Sequence, residues 1–199
     1  MLGIVLGGII PDLDNLLVAV ATVTKQPTDG LHRTFTHSLF TAVGVILLFY
    51  IISKITKKPR WKNLGLGLGI GILMHILLDL LIWFNGVALL WPLPLWVNFW
   101  ENTSPPELWM KLMDPAELLF MALFFATLGA VARKRGTDGS YLKTLRAWTW
   151  LEAILFVVFT VLAFTMTKGF LTIFGVVYLL SLFLGVGVTL HMRQTVEAM

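Results

Sequence analysis

Asp12, Asp14, His32, His37, His75 and Asp79 all lie in the first 80 residues of an otherwise intensely apolar chain. Imidazole nitrogens and carboxylate oxygens are ligands for zinc, manganese and iron. Six such groups are enough for one divalent ion and could serve two. An ionised side chain within hydrocarbon costs about 2.5 kcal/mol or more, so groups of this kind are kept there for a task. All six are therefore candidate metal ligands, and Asp12 or Asp14 is the candidate base for a metal-activated water.

Spacing sharpens this reading. His75 and Asp79 are four residues apart, so on a helix they share one face. Gly67 and Gly71 continue that stripe at the same interval, and small residues in such a register let a second helix approach closely. The Gly-rich run at residues 65–71 reads as helix packing, because no Lys or Ser/Thr ends it as in a phosphate-cradling loop. His32 and His37 are five apart and do not share a helical face, so a loop must deliver at least one of them. Arg33 stands between them with a planar fork suited to phosphate oxygens, or to pairing with a lipid headgroup. Thr36 and Ser38 flank His37 and are expected either to orient its ring from behind or to cap the next helix. The alternative for Asp12 and Asp14, in Pro-Asp-Leu-Asp, is a turn and a helix cap.

The elements that must position these groups follow from composition. With 57% hydrophobic residues, 13% charged residues and a mean hydropathy of +0.84, the chain reads as an all-α polytopic membrane bundle. No cysteine is present, so disulfides and thiolate ligands are excluded. The apolar stretch at residues 2–23 is broken near Pro11, and that break with Asp12 speaks against a cleaved leader. A polar loop at 24–36 precedes helices expected at 37–53 and 64–84. A Trp- and Pro-rich segment at 85–114 is too broken to span and suits the headgroup level. Three further helices are expected at 115–132, 148–167 and 169–191. The expectation is thus about five full spans plus a broken N-terminal segment, in a single domain over 1–199. Residues 1–114 would form its metal-site half and 115–199 its supporting helices.

Charge distribution orients the bundle. Basic residues crowd the loops at 54–62 and 133–146, which places both loops in the cytoplasm and segments 24–36 and 85–114 on the outer side. Because the net charge of +4 sits in these loops, it argues for orientation and against nucleic-acid binding. In this topology His37, His75 and Asp79 meet in the outer half of the membrane, and the Pro11 break can bring Asp12 and Asp14 to the same depth. Glu152 and His191 fall toward the cytoplasmic side as headgroup-level residues.

Pro11-Asp12-Leu13-Asp14, His32-Arg33-Thr34-Phe35-Thr36-His37-Ser38 and His75-x-x-x-Asp79, followed by Trp91-Pro92, resemble the YdjM-like membrane-bound metal-dependent hydrolases. The same family is described as LexA-binding, inner-membrane-associated hydrolases. The resemblance covers roughly the first half of the chain. It implies a metal-dependent hydrolase of the cytoplasmic membrane, distantly akin to zinc-dependent phospholipase C and nuclease-type enzymes. Thr34 stands where the family often has Gly, which leaves the conformation of that loop open. The expected cofactor is one or two divalent ions, zinc favoured, with manganese or iron as alternatives. The expected substrate is a phosphoester in a phospholipid or lipid-linked compound, with membrane lipids as partners. A divalent-cation transporter and a non-catalytic membrane adaptor binding a cytoplasmic regulator are the competing readings.

Overall fold

The computed structural model describes residues 1–84 and 86–199. Asn85, the first residue of the Trp- and Pro-rich segment, lies outside the described residues. Among the described residues, six helical stretches are long and apolar enough to cross a membrane: Leu2–Val23, Leu39–Thr56, Pro59–Ile82, Glu107–Arg135, Gly139–Thr165 and Phe170–His191. The chain divides into two compact units, Met1–Ser104 and Pro105–Met199. The second unit opens just ahead of the helix that begins at Glu107.

In the first unit, α1 (Leu2–Ile9) and α2 (Asn15–Val23) are separated by a 3-10 stretch, Ile10–Asp14, with Pro11 as its second residue. The break is where the sequence places it, since a proline has no N–H for a helical ladder. Helix α3 (Leu39–Thr56) is capped by Ser38, whose hydroxyl accepts the Phe40 N–H at 3.2 Å. Helix α4 (Pro59–Ile82) starts five residues before the expected boundary. Pro59 sits at its first turn, where its fixed φ and missing N–H carry no penalty. Helix α4 packs against α1 on one side and α3 on another.

Glycine makes both contacts possible. A methyl group at Gly7 would overlap Leu68 O, and one at Gly71 would overlap Ile4 O and lie 2.7 Å from Gly7 Cα. Backbone therefore meets backbone where Gly3 and Gly7 of α1 cross Gly67 and Gly71 of α4. Gly65 and Gly69 face α3 instead, against Phe49 and Ile46. Beyond the glycines, Ala42 of α3 closes on Ile72, Ile76 and Leu80 of α4 and on Val87, forming the apolar core beneath the polar cluster.

In the second unit, α5 (Glu107–Arg135) carries Pro115 inside it rather than at its start. Glu107 favours the positive end of the helix and pairs with Lys111 at 2.8 Å, so the first two turns are formed before the proline removes one ladder bond. Gly136, with φ of 68°, ends the helix in the left-handed conformation. Helices α6 (Leu142–Thr165) and α7 (Phe170–His191) follow, and a short α8 (Arg193–Glu197) closes the chain. Phe159, Phe170, Phe174 and Tyr178 form a run of ring contacts between α6 and α7. Glu152, expected at headgroup level, is instead buried at 1% exposure and accepts the Ser181 hydroxyl at 3.1 Å. Hydropathy sets its depth only coarsely and is silent on which face of α6 turns inward.

Candidate metal centre

Helix α4 fixes half of the cluster. The stripe that starts at Gly67 and Gly71 continues into His75 and Asp79, so the face that touches α1 also carries the ligand-type residues. The close crossing has a direct result: His75 Nδ1 donates to Gly8 O at 2.9 Å. An imidazole that donates from Nδ1 presents the lone pair of Nε2 to its other side.

The loop after α2 supplies the rest. Arg33 takes a left-handed backbone with φ of 59°, rare for a bulky residue and common where a fold holds a functional side chain against strain. Its N–H donates to Asp14 Oδ2 at 3.2 Å and its carbonyl accepts from Ala88 N at 2.9 Å, so the turn is bolted on both sides. Thr34 has φ of −113° and ψ of −107°, away from the main helical and extended regions, and its hydroxyl donates to Gly30 O. A 3-10 turn, Phe35–His37, then swings His37 inward, where it is wholly buried.

Four donor atoms from three stretches converge. His37 Nε2 lies 3.1 Å from His75 Nε2, 3.3 Å from Asp79 Oδ2 and 3.6 Å from Asp12 Oδ1. His75 Nε2 lies 3.5 Å from Asp79 Oδ2 and 3.5 Å from Asp12 Oδ1. Ligands that share a tetrahedral ion at 2.0–2.1 Å stand about 3.3 Å from one another, which is the centre of this range. Two Nε2 lone pairs at 3.1 Å also repel unless a cation or a proton stands between them. Asp79 Oδ2 is buried without a hydrogen-bond partner, a costly state for a carboxylate oxygen unless a positive charge completes it. The donor set therefore fits a divalent cation. His37, His75 and Asp79 form one group able to hold it; Asp12, His32 and His37 form a second.

Asp14 stands apart from this meeting point. Its Oδ1 accepts from His32 Nδ1 at 2.6 Å, and its Oδ2 accepts from the Thr36 hydroxyl at 2.7 Å and lies 3.4 Å from His37 Nδ1. The Thr36 hydroxyl in turn lies 2.9 Å from His37 Nδ1, completing a chain from Asp14 through Thr36 to the ring. Asp14 thus grips the rear nitrogens of both loop histidines, the place of a carboxylate that orients imidazole rather than one that faces a metal. Burial disfavours the charged form of His37, but hydrogen bonding to Asp12 and Asp14 outweighs it and raises the His37 pKa above its ordinary value.

The expected residues divide accordingly. Asp12, His37, His75 and Asp79 meet; His32 lies beside them, its ring centroid 5.3 Å from that of His37; Thr36 is behind His37 as expected. Ser38 has a different role from the orienting one allowed for it. Its hydroxyl donates to Leu89 O at 3.3 Å and Trp91 O at 3.2 Å, tying the start of α3 to the Trp- and Pro-rich segment. That segment is more ordered than its composition suggests. Val87 and Val97 exchange two backbone hydrogen bonds, and Trp100 Nε1 donates to Leu80 O at 2.9 Å. Trp91, Leu93, Leu95, Trp96 and Phe99 nevertheless remain exposed, as suits an interfacial segment. Gly3 and Gly7 were not singled out from the sequence, although their interval of four repeats that of Gly67 and Gly71.

Comparison with known proteins agrees with this architecture. The chain is 38% identical over 92 residues to the uncharacterized protein YvsG of Bacillus subtilis (strain 168), a match covering 46% of this chain and 48% of that protein. The matched region thus spans about half the length of this curated relative. No solved structure matches the chain. The model of the YdjM inner membrane protein family matches residues 1–170, taking in every residue of the cluster and five of the six apolar helical stretches. On that match, and with its apolar helices, this multi-pass membrane protein belongs to the YdjM family of inner membrane proteins.

Proposed function

We propose that the protein is a membrane-embedded metal-dependent hydrolase that cleaves a phosphoester in a phospholipid or lipid-linked substrate. The observation that carries the reading is the convergence of His37 Nε2, His75 Nε2, Asp79 Oδ2 and Asp12 Oδ1 at separations of 3.1–3.6 Å. A divalent cation bound there, zinc favoured and manganese or iron as alternatives, would lower the pKa of a bound water toward about 7 and would act as a Lewis acid toward the scissile group. One such ion together with Arg33 balances the three carboxylates of the cluster, which favours a single ion over two.

The chain's own residues divide the remaining work. His37, His75 and Asp79 hold the cation. The Asp12 carboxylate, 3.5 and 3.6 Å from the two Nε2 atoms, is the group assigned to take a proton from a neighbouring water. Asp14 holds the ring of His32, and Asp14 and Thr36 together hold that of His37, whose Nε2 faces the site. The basic loops at 54–62 and 133–146 are cytoplasmic in this reading, which sets the cluster in the outer half of the bilayer. The exposed aromatic residues between Trp91 and Phe99 lie at the headgroup level, so an amphiphile enters sideways from the membrane.

The test is a metal analysis of the full chain in detergent, paired with turnover assays on phosphatidic acid, phosphodiester lipids and amide substrates. About one equivalent of metal with turnover of a phosphoester, both lost in His75→Ala, is the expected result. Tight stoichiometric metal without turnover on any ester would contradict hydrolysis and point to transport or to a structural ion.

A further inference from the structure

We propose that Arg33 forms an anion subsite beside the metal centre that recognises a phosphoryl group. Two features set this side chain apart. Its Nη2 meets Asp79 Oδ1 at 3.4 Å, a single long contact where a guanidinium braced only for structure would grip a carboxylate with two short ones. Its Nε is buried and has no hydrogen-bond partner, although the side chain is only 11% exposed. A planar fork with a dry, unused N–H, one contact away from a residue of the donor cluster, is suited to an oxyanion held next to the cation.

The backbone argues the same way. Left-handed φ at a bulky residue is unfavourable, and here the turn is held by Arg33 N–H to Asp14 and Ala88 N–H to the Arg33 carbonyl. Both tethers attach to the surroundings of the cluster: Asp14 orients the histidines, and Ala88 belongs to the segment tied to Ser38. The strain therefore fixes the point from which the guanidinium reaches Asp79. Of the two hydrolytic chemistries, phosphoester and amide, a tetrahedral anion with several equivalent oxygens uses a fork donor and a cation together, whereas a neutral amide has no charge to offer Arg33.

The inference rests on the metal-centre reading and is tested separately from it. Zinc-loaded full-length protein in phosphatidylcholine nanodiscs is titrated with inorganic phosphate and, in parallel, with acetate, following binding by calorimetry. Wild type is expected to bind phosphate and not acetate. Arg33→Gln is expected to keep the wild-type zinc content and to weaken phosphate at least tenfold. Arg33→Lys, which keeps the charge and lacks the fork, is expected to weaken it as well. Displacement of phosphate by phosphatidic acid in the disc but not by soluble glycerol phosphate assigns the anion to a lipid headgroup; the reverse assigns it to a soluble ester. Unchanged phosphate binding in Arg33→Gln with zinc in place would overturn the subsite and leave the metal centre standing. Loss of zinc in Arg33→Gln would make Arg33 a brace for Asp79 and would overturn the subsite too.

Discussion

The two units treat buried polarity in opposite ways. In Met1–Ser104, the buried or partly buried side chains of Asp12, Asp14, His32, Arg33, His37, His75 and Asp79 share one network of contacts of 2.6–3.6 Å. In Pro105–Met199, buried polarity is split into small separate sets: Glu152 accepts the Ser181 hydroxyl, and the wholly buried Thr195 donates its N–H and hydroxyl to Asp138 Oδ2. Both units use long apolar helices, so hydropathy alone does not distinguish them. The difference lies in how closely the helices approach. Where α1 crosses α4, glycine brings backbone to backbone, and a carbonyl of one helix reaches an imidazole of the other. Gly175 and Gly187 of α7 have no atom within 4 Å of an added methyl, so neither of these two positions carries such a crossing. Dense ionisable chemistry in a membrane needs donors from several stretches at one depth, and a close crossing supplies them.

The sharpest way to break this contrast is His75→Ala. Removing a ligand should weaken metal binding by more than about a hundredfold, beyond the range found for partners behind the ligands. Equilibrium dialysis against zinc with metal analysis reads this directly. Retained affinity would mean that the cluster of the first unit is no metal site. Asp14→Asn should be milder: metal still binds, about 10–100-fold more weakly, because the imidazoles lose the group that orients them. A complete loss, equal to that of His75→Ala, would put Asp14 among the ligands after all.

Backbone packing gives the next comparison. Gly7→Ala forces a methyl into Leu68 O and should destabilise the protein by about 1–3 kcal/mol, seen as a lower Tm in detergent. Gly187→Ala, whose methyl meets nothing, should be neutral or stabilising by up to about 1 kcal/mol. Equal effects at the two positions would remove the distinction between the crossings. The smallest effect is expected at Glu152→Gln, where the amide oxygen still accepts from Ser181. Stability should change by about 1 kcal/mol or less, with metal content untouched. Loss of metal in that variant would show that the second unit takes part in the site.

Much of this was legible in the sequence, for identifiable reasons. The apolar helices declare themselves by length and hydropathy, and the interval of four from Gly67 to Asp79 marks one face of α4. The six ligand-type residues stand out because each is costly in such surroundings. Other features depend on three-dimensional facts that spacing does not encode. Which nitrogen of His37 faces Asp14 depends on ring orientation, so the orienting place of Asp14 was not readable beside the ligand-type place of Asp12. Ser38 turns toward Leu89 and Trp91 because the segment after α4 folds back, a tertiary event. The start of α5 before Pro115 reflects Glu107, Lys111 and the helix end outweighing one lost ladder bond. Glu152 is buried because its face of α6 meets α7, and hydropathy averages over faces.

The central claim is that one cation sits among His37, His75, Asp79 and Asp12. Anomalous diffraction from crystals of the purified protein, collected on both sides of the zinc, manganese and iron edges, tests it most directly. The account predicts one peak, about 2.0–2.2 Å from His37 Nε2, His75 Nε2 and Asp79 Oδ2, at the edge of whichever metal the protein carries. Metal-replete protein with no peak at that position, or with its peak at another place in the fold, would contradict it.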